Sequence, residues 1–195
     1  MTKTAGRTLT LEEFLRLPEV KPAREYEDGE VTRKPMPSIW HGVIQRLLSV
    51  VFTTYFNLRP DGDGGSEIRC LIGAPGHQRP YVPDYVVVLN AIARGFFGNQ
   101  TFHGAPDLAV EIRSPDDRPG ARERKIAFYL ANGVRMVWDI DPEKRSVTLR
   151  TADGVTQTLT DADTIDGGDV LPSLHVSVRE ILPKVRSEGA PIPPR

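Results

Sequence analysis

A five-residue run of apolar, largely β-branched residues, Tyr85-Val86-Val87-Val88-Leu89, stands directly behind Pro83-Asp84. It is too short for a helix and shows no polar alternation, which predicts a buried strand. Asp107 to Ile112 predicts a second core strand and Val134 to Ile140 a third. Between these two, a helix is predicted from about Ala121 to Ala131, with Ile126, Tyr129 and Leu130 inward and Asn132-Gly133 as its C-terminal stop. Core strands interleaved with helices predict an α/β fold: a mixed central β-sheet flanked by helices. Turns at Asp141 to Lys144 and at Asp153-Gly154 extend the third strand into Ser146 to Arg150 and Val155 to Leu159, a C-terminal antiparallel meander.

Upstream, Thr10 followed by Glu13 reads as a capping box opening a short helix that Pro18 stops. Asp28-Gly29 is a hairpin signal between two short polar strands within Arg24 to Lys34. Ser38 is the predicted N-cap of the strongest helix, in which Ile39, Val43, Leu47, Leu48, Val51, Tyr55 and Leu58 form the apolar stripe. The segment Asp61 to Gly65 reads as a loop and Ser66 to Ile72 as a strand.

The 195 residues suffice for one ordinary core, so a single domain over 1–186 is expected, with 187–195 a disordered tail. The 17 glycines and 17 prolines are scattered without a period, which excludes a collagen-like repeat. No apolar run approaches the roughly 20 residues that cross a bilayer, and the start MTKTAGRTLT has no apolar signal core. With a lone cysteine, Cys70, these features lead to the expectation of a cytoplasmic protein without a membrane partner. The 25 basic and 26 acidic residues give no global attraction to nucleic acid, so a phosphate-binding surface must be local.

Two acids occupy places where the pattern wants apolar side chains: Asp84, opening the first core strand, and Glu111, inside Leu108-Ala109-Val110-Glu111-Ile112. A buried carboxylate is costly unless a cation compensates it, so a metal or an arginine is the expected partner. If the strands are neighbours, the two acids suit a hard cation such as Mg²⁺, which can polarise a phosphoryl oxygen and acidify a bound water. Strand alternation puts Arg113 on the face of Glu111, either as its salt-bridge partner or as a phosphate ligand. The plainer alternative is that Asp84 caps a strand and Glu111 belongs to a structural ion pair. Arg118, Arg122, Arg124 and Lys125 cluster just after this strand, where they either track a phosphate backbone or form a solvated helix start.

These segments together resemble a known family. Val82-Pro83-Asp84, then Gly104 to Pro115, Lys125 to Tyr129, Asn132-Gly133-Val134 and Trp138 to Pro142, with Arg24 to Glu30 and Ser38 to His41 upstream, are similar in order and spacing to the Uma-type family of putative restriction endonucleases. That family belongs to the PD-(D/E)xK nuclease superfamily, and the resemblance spans roughly residues 8 to 183. It implies a restriction-endonuclease-like fold and a Mg²⁺- or Mn²⁺-dependent endonuclease acting on DNA, with dimerisation common among its relatives. It also implies that Asp84 and Glu111 bind metal and are catalytic, with Glu25 as a further acid that adds a ligand or holds a water. Arg113 stands where the superfamily has lysine, and Lys125 matches the lysine thought to replace it from the following helix. His41 and Ser38 match family positions, His41 with a substrate-binding role or only a local hydrogen bond. Two other classes stay open: a nuclease-like module that binds nucleic acid or protein without cutting, and a phosphoesterase for small nucleotides.

Overall fold

The computed structural model describes residues 8–97, 101–115, 117 and 119–184. The expected tail from residue 187, and Arg118 of the cationic cluster, lie outside the described residues.

The chain opens with helix α1 (Leu11–Leu15), closed by the expected capping box: Glu13 N–H donates to Thr10 Oγ1 at 3.1 Å and Thr10 N–H to Glu13 Oε2 at 2.9 Å. Strands β1 (Arg24–Glu27) and β2 (Glu30–Arg33) form a hairpin. Its turn residues Asp28 and Gly29 have φ of 48° and 93°, the doubly positive pattern that an Asp-Gly pair tolerates. Helix α2 (Ile39–Leu58) is followed by β3 (Gly62–Ser66), β4 (Arg69–Ile72), β5 (Arg79–Tyr81), β6 (Tyr85–Leu89), β7 (Thr101–Phe102) and β8 (Leu108–Ile112). Helix α3 (Pro119–Ala131) leads to β9 (Met136–Asp141), β10 (Ser146–Thr151) and β11 (Thr156–Thr160). A small hairpin, β12 (Thr164–Asp166) with β13 (His175–Ser177), and helix α4 (Val178–Ile181) end the described chain.

Six strands form the central sheet in the order β11-β10-β9-β8-β6-β3. Only β8 and β9 run parallel, because α3 carries the chain back between them. The strands from β9 to β11 form the expected meander. The mixed sheet covered by helices is the α/β architecture that the sequence predicts, and alternation sorts its core into two layers. Val87, Leu108, Val110, Ile112, Trp138 and Ile140 join Ile44, Leu48 and Phe52 of α2. On the other side, Val86, Val88, Ala109 and Val137 pack with Ile126 and Tyr129 of α3 and with Cys70, Ile72 and Tyr81 of the smaller β5-β4-β7 sheet.

Two expectations need correction. The buried face of α2 is His41, Ile44, Leu48, Phe52, Tyr55 and Phe56, whereas Ile39 and Leu58 are 87% and 83% exposed. The helix has apolar residues nearly all round, so the packed stripe is rotated from the one expected. The glycine-rich segment Gly62 to Gly65 is an edge strand, β3, not a loop. Its glycines serve close packing: a Cβ on Gly62 would lie 2.4 Å from the Phe56 ring, and one on Gly64 would lie 2.7 Å from the Val86 carbonyl oxygen.

Candidate nuclease centre

Because Leu108, Val110 and Ile112 turn toward α2, Glu111 turns toward α3 with Ala109. Its neighbour in the parallel register is Asp139 of β9, so two acids from adjacent strands face the same helix. Helix α3 answers with Arg122, Lys125 and Tyr129, spaced three and four residues apart on one face. Lys125 Nζ lies 2.9 Å from Glu111 Oε1 and 3.1 Å from Oε2, and the Tyr129 hydroxyl donates to Oε1 at 2.8 Å.

Asp84 reaches the same place from β6. Its N–H donates to Val110 O at 3.0 Å and its Oδ2 accepts the Ile112 N–H at 2.7 Å, so Asp84 brackets Glu111 with one bond on either side. Gln45 of α2 donates to the Asp84 carbonyl at 3.1 Å, tying the helix to this corner. From β1, Glu25 Oε1 accepts both Val82 N–H at 3.0 Å and Lys125 Nζ at 2.8 Å. Lys125 is thus lodged between Glu25 and Glu111, and the sequence-expected Asp84, Glu111, Lys125 and Glu25 come together in one buried cluster.

A fifth member was not foreseen. Lys34, one residue past β2, donates to Asp84 Oδ1 at 2.6 Å and to Val82 O at 2.7 Å. The cluster therefore holds three carboxylates and two ammonium groups, a formal surplus of one negative charge. Burial alone would raise the Asp84 carboxyl, but the Lys34 charge and hydrogen bond and the Ile112 N–H hold it below the usual range. Glu111 is pushed upward, first by burial and then by Asp84 and Glu25, against the pull of Lys125 and Lys34. Burial would lower Lys125, yet the two glutamates outweigh it and its ammonium is held charged.

The remaining expected residues are placed differently. Arg113 does not neutralise Glu111. Just past β8, it donates to Asp139 at 2.8 Å and lies 3.5 Å from Asp141. Arg122 is buried, and its Nε donates to Asp139 Oδ1 at 2.9 Å and its Nη1 to Asp117 Oδ2 at 2.9 Å. These two arginines fasten α3 and the end of β8 to β9, whereas Arg124 is exposed. His41 is buried, held between Ser38 Oγ on Nδ1 and Ile112 O on Nε2, each at 3.0 Å, with Nε2 also 3.9 Å from Asp84 Oδ2. This spends the Ser38 hydroxyl on the histidine, not on capping α2.

Asp139, only 1% exposed, is a third acid inside a core strand and carries the same signal as Glu111. That signal would have found it. Lys34 carries no such signal, because it sits in a polar, proline-flanked stretch. Among the described residues no three His, Cys, Asp or Glu side chains are arranged as a ready-made metal centre, and the two ammonium groups lie against the acids instead. No helix among them is long and apolar enough to cross a membrane.

Residues 11–179 match the model of the Uma2 family, described as putative restriction endonuclease. A solved crystal structure, that of a putative nuclease belonging to DUF820 from Anabaena variabilis, superposes with a TM-score of 0.76 at 30% identity, covering 89% of this chain and 97% of that one. No curated protein matches. With a family match over most of its length and a nuclease-like fold whose strand ends and helix gather Asp84, Glu111 and Lys125, the chain belongs to the Uma2 family of restriction-endonuclease-like proteins.

Proposed function

We propose that this protein is a Mg²⁺- or Mn²⁺-dependent endonuclease that hydrolyses DNA phosphodiester bonds. The observation that carries the reading is Lys125 lodged between Glu25 and Glu111 at the strand end where Asp84 is also held. The donor set fits a hard divalent cation: the acids offer only oxygen, and their charge exceeds that of the two lysines by one. Asp84 and Glu111 would hold the ion, with Glu25 beside them. When bound, it would supply Lewis-acid polarisation of the phosphoryl oxygen and a more acidic water.

The chain's own groups account for the rest. Lys125 offers an ammonium that would orient the attacking water or offset negative charge growing on the non-bridging phosphoryl oxygens as the water oxygen bonds to phosphorus, the bridging P–O bond breaks, and the water's proton passes by way of solvent to the leaving oxygen. Tyr129 and the buried faces around it fix the Glu111 carboxylate. Arg124, exposed on α3 next to Lys125, would meet a phosphate backbone, whereas Arg113, 37% exposed at its side chain, is committed to Asp139. A cytoplasmic location and a homodimer are compatible with this reading.

A second reading, a module that binds nucleic acid without cutting it, draws on one observation: Asp84, Glu111 and Glu25 each already have an ammonium partner. Cleavage of supercoiled plasmid in Mn²⁺ separates the two. The parent is expected to nick and linearise the plasmid, chelation to stop it, and Glu111→Gln and Lys125→Ala to cut at least about 100-fold more slowly. Absence of cutting by the parent in either metal, or unchanged cutting by Glu111→Gln, removes the nuclease reading.

A further inference from the structure

Lys34 is unusual for its surroundings. All four residues of β2 are exposed, as are Pro35, Met36 and Pro37, so from Glu30 to Pro37 the one side chain turned into the protein is a lysine, 12% exposed. Its ammonium has three donors, and two of them are spent on Asp84 Oδ1 and the Val82 carbonyl. Both are hard oxygens of the kind that Mg²⁺ and Mn²⁺ take as ligands. The other lysine of the cluster is engaged elsewhere, on Glu25 and Glu111. The two ammonium groups repel one another within the same small space, and each would repel a divalent cation brought beside it.

The two lysine side chains are equally shielded, 12% and 13% exposed, but are carried by different elements. Lys125 projects from a core helix packed on the sheet through Ile126 and Tyr129. Lys34 projects from the end of a separate two-stranded hairpin, anchored there by its N–H to Ala23 O at 2.9 Å. Its flexible four-carbon stem can withdraw the ammonium to solvent by side-chain rotation, without moving a core element. Release of Lys125 would leave two carboxylates, Glu25 and Glu111, without an ammonium, whereas release of Lys34 leaves one, Asp84, whose other oxygen keeps the Ile112 N–H.

Resting on the metal-dependent reading above, we propose that Lys34 is an autoinhibitory counter-ion. It holds the Asp84 and Val82 oxygens and must swing out before the site can accept a divalent cation. Resting affinity for metal is then set by competition with a residue of the chain itself. A merely structural Lys34–Asp84 pair makes the opposite forecast, since its loss would loosen Asp84 and weaken any metal site built on it.

The test is Mn²⁺ titration by calorimetry, with the Mn²⁺-induced rise in Tm as a second readout, on the full chain and on Lys34→Met, Lys34→Gln, Lys34→Arg and Glu111→Gln. Neutral Lys34→Met and Lys34→Gln are expected to bind Mn²⁺ about tenfold more tightly than the parent, the loss of one charged hydrogen-bonded competitor. Lys34→Arg, which keeps the charge, should stay within about threefold of the parent. Glu111→Gln should lose binding. If the two neutral variants bind no more tightly than the parent while Glu111→Gln loses binding, the Lys34 proposal fails and the metal site stands. If neither the parent nor any Lys34 variant binds Mn²⁺, the metal-dependent reading itself falls and takes this proposal with it. Should Lys34→Met fold poorly, Lys34→Gln decides, since its amide can still donate to Asp84.

Discussion

Asp84 fastens itself to the residue immediately after Glu111, its Oδ2 accepting the Ile112 N–H at 2.7 Å. The first carboxylate of the cluster is therefore also a structural clasp between β6 and β8, at the point where His41 takes the Ile112 carbonyl. Asp84→Ala would orphan both a buried backbone donor and the Lys34 ammonium. A loss of about 3 kcal/mol is expected in urea unfolding, and Asp84→Asn, which keeps an acceptor for Ile112, should lose less than Asp84→Ala. Equal stability of the alanine variant and the parent would show that the clasp contributes nothing.

The pair of arginines on Asp139 predicts an acid-sensitive fold. Burial alone would raise the Asp139 carboxyl, but the hydrogen bonds and charges of Arg113 and Arg122 prevail and hold it below its ordinary 3.8. A carboxyl depressed in the folded state contributes stability that is complete above its unfolded value and is lost as the pH falls through the folded one. The parent should therefore lose stability progressively below about pH 4. Asp139→Asn, which leaves Arg122 buried without its main counter-charge, should cost about 3 kcal/mol at neutral pH and flatten that acid slope. Chemical unfolding between pH 3 and pH 7 checks both, and a parent-like slope in the variant would refute the assignment.

How far the sequence discloses this architecture depends on whether a signal is local. The core strands, the Asp28-Gly29 turn, the capping box and the meander follow from period, turn chemistry and caps, each carried within a few residues. Asp84 and Glu111 stand out because an acid in an apolar strand is an energetic conflict visible in one dimension. Asp139 offers the same conflict, and without it Arg113 and Arg122 read as phosphate ligands when they are structural partners of a buried acid. Lys34 and Glu25 come from a polar hairpin whose docking on Val82 and Asp84 depends on contacts some fifty residues away. No local pattern encodes that. Strand β3 is hidden for a related reason: glycines read as a loop until α2 is known to lie against them.

That packing makes the glycines of β3 a sharp test. A Cβ on Gly62 would meet two atoms of the Phe56 ring at 2.4 and 2.8 Å, and one on Gly64 would meet the Val86 carbonyl oxygen at 2.7 Å. Neither position carries a positive φ, so the effect is steric and not conformational. Gly64→Ala presses on backbone, which cannot rotate away, and should cost about 1–3 kcal/mol; Gly62→Ala can be relieved in part by a shift of Phe56 and should cost less. Thermal unfolding ranks the two, and a stabilised Gly64→Ala would contradict the close approach.

Glu111 is held by two donors of different character, the Lys125 ammonium and the Tyr129 hydroxyl, and a double-mutant cycle resolves what each does. Tyr129→Phe removes a neutral hydrogen bond and should cost about 1–2 kcal/mol. Lys125→Met leaves Glu25 and Glu111 buried without their shared cation and should cost about 3–5 kcal/mol, unless Glu111 takes up a proton. Burial and the neighbouring acids already push Glu111 upward in the parent, so protonation is the expected escape, and loss of Lys125, which pulls Glu111 down, should make the Lys125→Met variant gain more stability than the parent as the pH is lowered from 8 toward 5. Glu111→Gln placed in the Lys125→Met background should remove that pH dependence and restore part of the lost stability, because the amide needs no counter-charge. If Lys125→Met and Glu111→Gln instead destabilise additively, with no pH dependence in the single lysine variant, then Lys125 is not the cation that compensates Glu111.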